Sequence, residues 1–395
     1  MKDSMKPEWD LTLPSLAQAF KPYFMLGNIY SITKVMDKSN TSQMFAHHFN
    51  AVTAENGHKP SLIAPSGFAR PDASKYDFTD VDTIVDWAIK NNITLIGHVL
   101  VWHSQSPDWL YFSAPGTPLT RAKARSNMEF HIRTLAEHFV KKGTINAFHS
   151  WDVVNEAMAC GGGNWNGNLD DWSAGDWRTQ MREDSPWYMA YANGCNPDAG
   201  EHPSDFMYDA YVLARQYFPT PILYYNDYNE EIPAKRNAIG QMVEQLNHRW
   251  AHDNKNNPEA VAQGTQYTGR KLVEGIGMQS HYHLDQNNTN LDDVRPAIER
   301  YIATGAIISI SELDITIGQK DNPLPAPLDK ANQQRQAEAF AKLFGYYIEF
   351  AGYIERVSLW GKADNQSWRA WGQPLLFDSG FRAKEAFFAV MKSVQ

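Results

Sequence analysis

The 395-residue sequence is poor in cysteine, with two, and short of positive charge, with 36 Lys and Arg against 45 Asp and Glu. Two thiols cannot build a disulfide framework or a four-thiolate zinc site, so Cys160 and Cys195 are either free or joined in one isolated bridge. A formal charge of -9, unrelieved by any basic run or arm, sets the chain against phosphate backbones and anionic lipid. No apolar run reaches the roughly 18 residues that spanning a bilayer needs. The first 20 residues contain neither a continuous apolar stretch nor an A-x-A cleavage site. Because a cleaved signal peptide would leave the same sequence, location stays open at this point. Repeats, heptads, low-complexity blocks and a Pro/Ser/Gly-rich linker are missing as well. No nucleic-acid or membrane partner is expected, and 1–395 reads as one domain with about 20 lead-in residues.

What the chain does have is aromatic side chains, among them 13 Trp, and a recurring local pattern. A short apolar, often β-branched run leads into polar or aromatic residues, then a loop, then an amphipathic stretch. The runs lie at 23–26, 49–53, 94–101, 150–154, 222–225, 275–279, 307–310 and 356–359. Most are continuous rather than alternating, as parallel strands covered on both faces are. Helical patterns follow at 78–91, 120–142, 232–252, 292–304 and 331–350, and Asn91 and Asn92 end the first of these. Eight alternations predict an α/β fold, a (β/α)8 TIM barrel, although a doubly wound sheet would show the same alternation. The interval 157–204, with its glycines, aspartates and four Trp, reads as an elongated loop after strand four, and loops of that length usually serve a site.

Barrels present their chemistry at the C-terminal rim, so the residues that end each run matter most. Here they are Glu55, Asn56, His58 and Lys59 after the second run, and His98, Trp102, His103 and Gln105 in and after the third. Asn155 and Glu156 end the fourth, Asn226, Asp227 and Tyr228 the fifth, and Gln279, His281 and His283 the sixth. Glu312 and Asp314 close the seventh, and the eighth supplies Trp360 and, further on, Trp368. Glu156 and Glu312 each follow an apolar strand directly, where desolvation and neighbours can move one pKa up and hold the other down. Glycoside hydrolysis needs such a pair: one acid for the leaving oxygen, one carboxylate for the anomeric carbon.

Six stretches, in order, resemble glycoside hydrolase family 10, the endo-β-1,4-xylanases. They are GHVLVWHSQSPDW from Gly97, WDVVNEA from Trp151, YYNDYN from Tyr224, GIGMQSHY from Gly275, SELDI from Ser311, and the pair Trp360 and Trp368. The resemblance covers roughly 23–394. It implies a retaining, endo-acting enzyme that cleaves internal β-1,4-xylosidic bonds by double displacement. Glu156 then matches the general acid/base and Glu312 the nucleophile, with their carboxyl groups about 5–5.5 Å apart. Asn155 resembles the residue that hydrogen-bonds the sugar 2-hydroxyl, and His281 the one that keeps the nucleophile ionised. Glu55, Asn56 and Lys59 resemble a polar clamp on the non-reducing side, with His98, Trp102 and Gln105 as walls. Tyr228 and Gln279 join the substrate-binding set; Trp360 and Trp368 resemble the floor and lid of the central subsite. Gln105 and Trp368 stand where the family leaves little room for a hydroxymethyl group, which favours xylose over glucose.

The resemblance implies xylan or xylooligosaccharide as substrate, a monomer, no metal and no cofactor. It implies a secreted enzyme, with a cytoplasmic oligosaccharide-processing form as the alternative. Three departures stand out. Gly57 replaces a bulkier residue in the clamp and is expected to loosen that loop. Lys362 follows Gly361 where an apolar residue is usual; it either pairs with Asp364 or recognises an acidic xylan decoration. The segment 161–200 is longer than usual and is expected to reshape the leaving-group side of the cleft, with Trp165, Trp172, Trp177 and Trp187 extending it. Three rivals have other signatures: a metal hydrolase built on the H-x-H of His281 and His283, a sugar-binding protein on a degenerate barrel, and a β-1,4-glucanase. The first lacks completing ligands on other rims, and the second would have lost one of the two glutamates.

Overall fold

The computed structural model describes residues 11–31, 41–159, 165–256, 269–285 and 289–395. Eight parallel strands follow in chain order: β1 (Met25–Tyr30), β2 (Ala51–Ala54), β3 (Thr94–Trp102), β4 (Phe148–Asn155), β5 (Ile222–Asp227), β6 (Gly275–Met278), β7 (Ile307–Thr316) and β8 (Ile354–Leu359). Each pairs with the next, and β8 also pairs with β1, Met25 opposite Arg356, so the sheet closes into a barrel. That closing pair decides against a doubly wound sheet, whose edge strands stay open. Every one of the eight apolar runs overlaps its strand. β7 extends furthest past its run, to Thr316, and β1 also continues past its own, through Asn28, whose side chain bonds the main chain of Gly361 at both ends.

Among the described residues, eight helices of eight residues or more cover the outside: α1 (Thr41–His48), α2 (Thr79–Lys90), α3 (Arg121–Lys142), α4 (Asp205–Tyr217), α5 (Pro233–Asn256), α6 (Val294–Ala303), α7 (Lys330–Glu349) and α8 (Glu385–Lys392). In α2 the buried residues Val81, Ile84, Val85 and Ala88 recur at helical spacing and form the face laid on the sheet. Gly143 ends α3 at φ 78°, the left-handed conformation that glycine tolerates best. Helices α1, α4 and α8 lie outside the helical patterns read from the sequence. Two of them have only eight residues, and the inner face of α4 is carried by Tyr208, Tyr211 and Arg215 as well as by aliphatic residues. Among the described residues no helix is long and apolar enough to cross a membrane.

Two features of the barrel prepare the rim. Gly97 on β3 makes room for the fully buried Trp151 ring of β4, which a Cβ there would meet at 2.1 Å. Gly277 on β6 does the same for Asn226, whose Oδ1 would lie 2.3 Å from an added Cβ. Strand register also slips toward the C-terminal ends, between His98 and Val101, Asp152 and Val154, and Ile310 and Leu313. Such irregularities bend a strand and re-aim its side chains.

The interval after β4 differs from the expected structureless loop. It holds a helix at Pro186–Ala192, 3-10 turns at Trp177–Gln180 and Pro197–Ala199, and a bridge between Met158 and Met181. Part of it is bonded to α5: Gln241 and Gln245 accept from the Trp177 backbone and indole N–H, and Asn237 donates to Leu169 O. Trp177 and Trp187 are each 1% exposed, so they pack the loop and extend no cleft. Cys195 carries a free thiol, and Cys160 and Gly161 to Gly163 lie outside the described residues.

Candidate active site

A cavity of about 570 Å³ opens at the C-terminal rim, and every site residue expected from the sequence lines it. Its β7 wall is ionic. Glu312 is 5% exposed; Oε1 accepts from Asn226 Nδ2 at 2.8 Å and Oε2 lies 3.2 Å from His281 Nε2. The other nitrogen of His281 lies 3.1 Å from Asp314 Oδ1, so the imidazole is held between two carboxylates. Burial by itself would lower the His281 pKa, but Asp314 and Glu312 reverse the effect and lift it to about 10. Burial likewise favours a neutral Glu312, yet His281, His98 and Asn226 hold its carboxyl below the ordinary value. Asp314 is kept ionised in the same way, against its burial, by His281 and by Arg369, whose Nη1 lies 2.6 Å away.

The β4 wall is built from neutral donors. Glu156 follows the last residue of β4 at φ 56°, a conformation disfavoured for a side chain of this kind. Its Oε2 accepts from the Trp102 indole at 2.9 Å and its Oε1 from Gln279 Nε2 at 3.0 Å. His103 Nε2 stands 4.0 Å from Oε2; burial, then the charge of Arg182, holds that imidazole down to about 4, hence neutral at pH 7. The two walls are joined through Asn155, whose Oδ1 accepts from Gln279 at 3.2 Å and from Asn226 at 2.9 Å. With its oxygen doubly occupied, the Asn155 amide N–H₂ is left as the donor for a ligand.

The remaining expected residues form the two sides. Lys59 Nζ donates to Asn56 Oδ1 at 2.9 Å and Gln105 Oε1 at 2.8 Å, and sits 5.1 Å from the Trp102 ring. Burial pulls the Lys59 pKa down, opposed by Glu312, Glu55 and Glu156. Gly57 is buried in a turn closed by Lys59 N and Asn56 O, which ties the loop rather than loosening it. His98 Nδ1 bonds Asp152 at 2.9 Å and meets the Trp360 ring edge-on at 5.6 Å. Trp360 is 7% exposed and Trp368 63%: one ring is set into the barrel mouth, the other stands over it with its N–H on Asp314 at 3.1 Å. On the opposite side Tyr228 lines the cavity, with Lys235 Nζ 4.2 Å from its ring.

Several sequence readings change. Lys362 neither pairs with Asp364 nor lines the cavity: it is buried with Nζ 4.4 Å from the Tyr30 ring, and Asp364 is taken by Lys384 at 3.0 Å and by Leu375 N–H. His58 is fully buried between Phe148 and Trp151, where desolvation lowers its pKa to about 3. Among the described residues no group of three or more His, Cys, Asp or Glu is arranged to hold a metal ion. His283 packs on Trp371 and accepts from Asp285 N. Asn226, Asp314 and Arg369, which contact the expected site residues directly, received no role from the sequence. The YYNDYN and SELDI stretches contain the first two; nothing local marks Arg369.

A sequence model described as glycosyl hydrolase family 10 matches residues 15–393. An endo-1,4-β-xylanase of Geobacillus stearothermophilus is 30% identical over 96% of this chain and 98% of its own length. The exoglucanase XynX of Acetivibrio thermocellus is 29% identical over 96% of the chain but only 29% of its own length. The chain thus spans under a third of the length of some curated relatives it matches. Among solved structures, the intracellular xylanase TsXylA of Thermoanaerobacterium saccharolyticum, determined with xylotriose, superimposes with a TM-score of 0.75. It is 28% identical, covering 97% of this chain and 100% of that one.

Proposed function

Because the chain belongs to glycosyl hydrolase family 10, we propose that it is a retaining endo-β-1,4-xylanase in which Glu312 is the nucleophile and Glu156 the general acid/base. The observation that carries this reading is the opposite setting of two carboxyls on one cavity. Glu312 is held ionised against its burial by His281, His98 and Asn226, as a nucleophile must be. Glu156 sits among neutral donors, with no cation fixing its carboxylate form at hydrogen-bond range among the contacts described.

In the first step a Glu312 oxygen bonds to the anomeric carbon while Glu156 gives its proton to the glycosidic oxygen, and the leaving sugar departs. In the second, Glu156 takes a proton from water, the water oxygen bonds to the anomeric carbon, and Glu312 is released. Two inversions return the original configuration. The Asn155 amide N–H₂ is placed to donate to the sugar 2-hydroxyl, a bond that strengthens as positive charge grows at the ring. Lys59, Asn56, Glu55 and Gln105 offer paired hydrogen bonds to adjacent hydroxyls, Trp102, Trp360 and Trp368 apolar faces for the pyranose rings, and Tyr228 and Gln279 the other side.

Xylan or xylooligosaccharide is the substrate in this reading, and Gln105 and Trp368 exclude the hydroxymethyl of glucose. The intracellular relative supports the cytoplasmic oligosaccharide-processing alternative over secretion. The exoglucanase relative favours a β-1,4-glucanase as the second reading. Reducing-sugar release from xylan, glucuronoxylan and carboxymethylcellulose decides between them. The wild type is expected to release sugar from the two xylans, and Glu312→Ala from none. Activity on cellulose alone, or activity that survives the substitution, overturns the proposal.

A further inference from the structure

The elongated loop after β4 turns back to the site at one residue. Arg182 pairs with the strand-like segment after Glu156 through its main chain, its N–H donating to Ala157 O at 2.9 Å. Its side chain then reaches the rim. Nε donates to the carbonyl oxygen of Glu156 at 3.2 Å, and Nη2 donates to the hydroxyl of Tyr228 at 2.8 Å. Around it the backbone is pinned on every side: Glu156 N donates to Asn226 O at 2.9 Å, and the amides of Ala157 and Met158 both donate to the Tyr225 hydroxyl at 3.2 Å.

These anchors surround a residue whose φ of 56° is disfavoured unless neighbours hold it there. Strand β5 holds the amide side of the Glu156 peptide and Arg182 holds the carbonyl side. The guanidinium is planar and its donors point in fixed directions, so it holds a carbonyl and a phenol in a set relative geometry, which the rotating ammonium of a lysine fixes less firmly. The rest of the loop fixes Arg182 in turn. Met158 and Met181 form a bridge, Ala159 N donates to Gln180 O, and Trp187, five residues on, donates its indole N–H to Trp102 O at 3.1 Å. Trp102 is itself the indole donor to the Glu156 carboxyl. The loop therefore grips both the backbone of Glu156 and a ligand of its side chain.

We propose that Arg182 is a positioning residue for proton transfer, clamping the left-handed turn at Glu156 so that its carboxyl faces the leaving-group oxygen. The proposal rests on the reading of Glu156 as the acid/base. It assigns a role in the bond-breaking step to a loop that otherwise packs on α3, α4 and α5.

A positioning defect is distinguished from a merely structural one by its dependence on the leaving group. Protonation matters most for a poor leaving group and little for an activated one, whereas general loosening lowers all substrates together. Arg182→Met, Arg182→Lys and Glu156→Ala are compared on phenyl, nitrophenyl and dinitrophenyl xylobiosides through kcat/KM, which reports the first step, with thermal unfolding recorded for each. A displacement of about 1 Å costs up to roughly 100-fold. Arg182→Met is therefore expected to lose about tenfold or more on the phenyl glycoside and under threefold on the dinitrophenyl one, with Arg182→Lys between it and the wild type. Should the methionine variant not fold, the slope of the lysine variant carries the same comparison. A loss of equal size across the leaving groups, or no loss, overturns the proposal. If Glu156→Ala shows leaving-group dependence and neither Arg182 variant does, only the role of Arg182 falls. If Glu156→Ala itself shows none, the acid/base reading falls and takes the proposal with it.

Discussion

Within β7, at the register slip between Ile310 and Leu313, Glu312 has 7% of its side chain exposed, and its oxygens meet an imidazole and a carboxamide. At the end of β4, Glu156 stands one residue past the strand, with 14% exposed, and its oxygens meet an indole and a carboxamide. Both carboxyls rim the same cavity, and both touch the Asn155–Asn226–Gln279 network. They differ in charge environment and in backbone restraint. A charged triad of His281, Asp314 and Arg369 backs the first, and a strained turn gripped from a neighbouring loop backs the second. In the proposed mechanism Glu312, which must keep one protonation state, is set into the sheet among charges, and Glu156, which must change state in each half-reaction, is set among neutral donors at a held turn. Under the proposed roles, the surroundings and not the residue type divide the work between two glutamates.

The strongest way to break this contrast is to remove each carboxyl in turn. Glu312→Ala is expected to lower kcat/KM by roughly 10⁵-fold on every substrate, because no other group can bond the anomeric carbon. Glu156→Ala is expected to lose roughly 10²–10⁴-fold on xylan but far less on dinitrophenyl glycosides, since only the former needs protonation. Flat losses for both variants across leaving groups would erase the division of roles.

A smaller effect tests the ionic wall. His281→Asn removes the cation that holds Glu312 ionised, so the acidic limb of kcat/KM is expected to move to higher pH, with a loss of roughly 10–100-fold near neutrality. The same substitution has a stability signature. The His281 pKa is raised from 6.5 to about 10, so its contribution is fully present below about pH 6.5 and is lost as pH rises through about 10. The melting temperature of the wild type is expected to fall between pH 7 and 10, and that of His281→Asn to fall less. Coincident pH profiles for the two proteins would show that the wall carries no such charge.

The smallest expected effect sharpens the contrast by looking just behind the cavity. Glu230 and Glu231 are buried, Glu230 accepting from Ser280 N and Oγ at 3.1 Å each. Burial lifts Glu230 to about 7; burial and the neighbouring Glu230 lift Glu231 to about 8. Raised carboxyl values mean that the native state holds protons the unfolded chain has released. That stabilisation is present below about pH 4.5 and lost as pH climbs through 7 to 8. Glu231→Gln is expected to flatten the decline in melting temperature from pH 5 to 8 while kcat/KM changes less than about twofold, within the range of a substitution away from the chemistry. A large loss of activity would extend the site beyond its walls.

The strands were legible because parallel strands covered on both faces appear as unbroken apolar runs, and the rim followed because polar residues end those runs. Asn155, Glu156, Gln279, His281 and Glu312 are marked in this way. Other residues were misread where the sequence neighbour is not the spatial neighbour. Lys362 stands two residues from Asp364, but that carboxylate belongs to Lys384, twenty residues on. Trp177 and Trp187 carry the residue type of a sugar platform, and burial spends them on packing. Arg182 lies 26 residues from the carbonyl it clamps, with nothing local to mark it.

By itself the sequence determined which side chains stand at the strand ends and in what order, because that depends on the spacing of apolar runs along one chain. Only the tertiary structure decided which carboxyl is held by charge and which by neutral donors. Asn226 is 86 residues from Glu312, Gln279 is 123 from Glu156, and Trp102 is 54 from Glu156. Hydrogen bonds and charges act over a few ångströms of space. Closing the barrel is what turns those long separations along the chain into contacts.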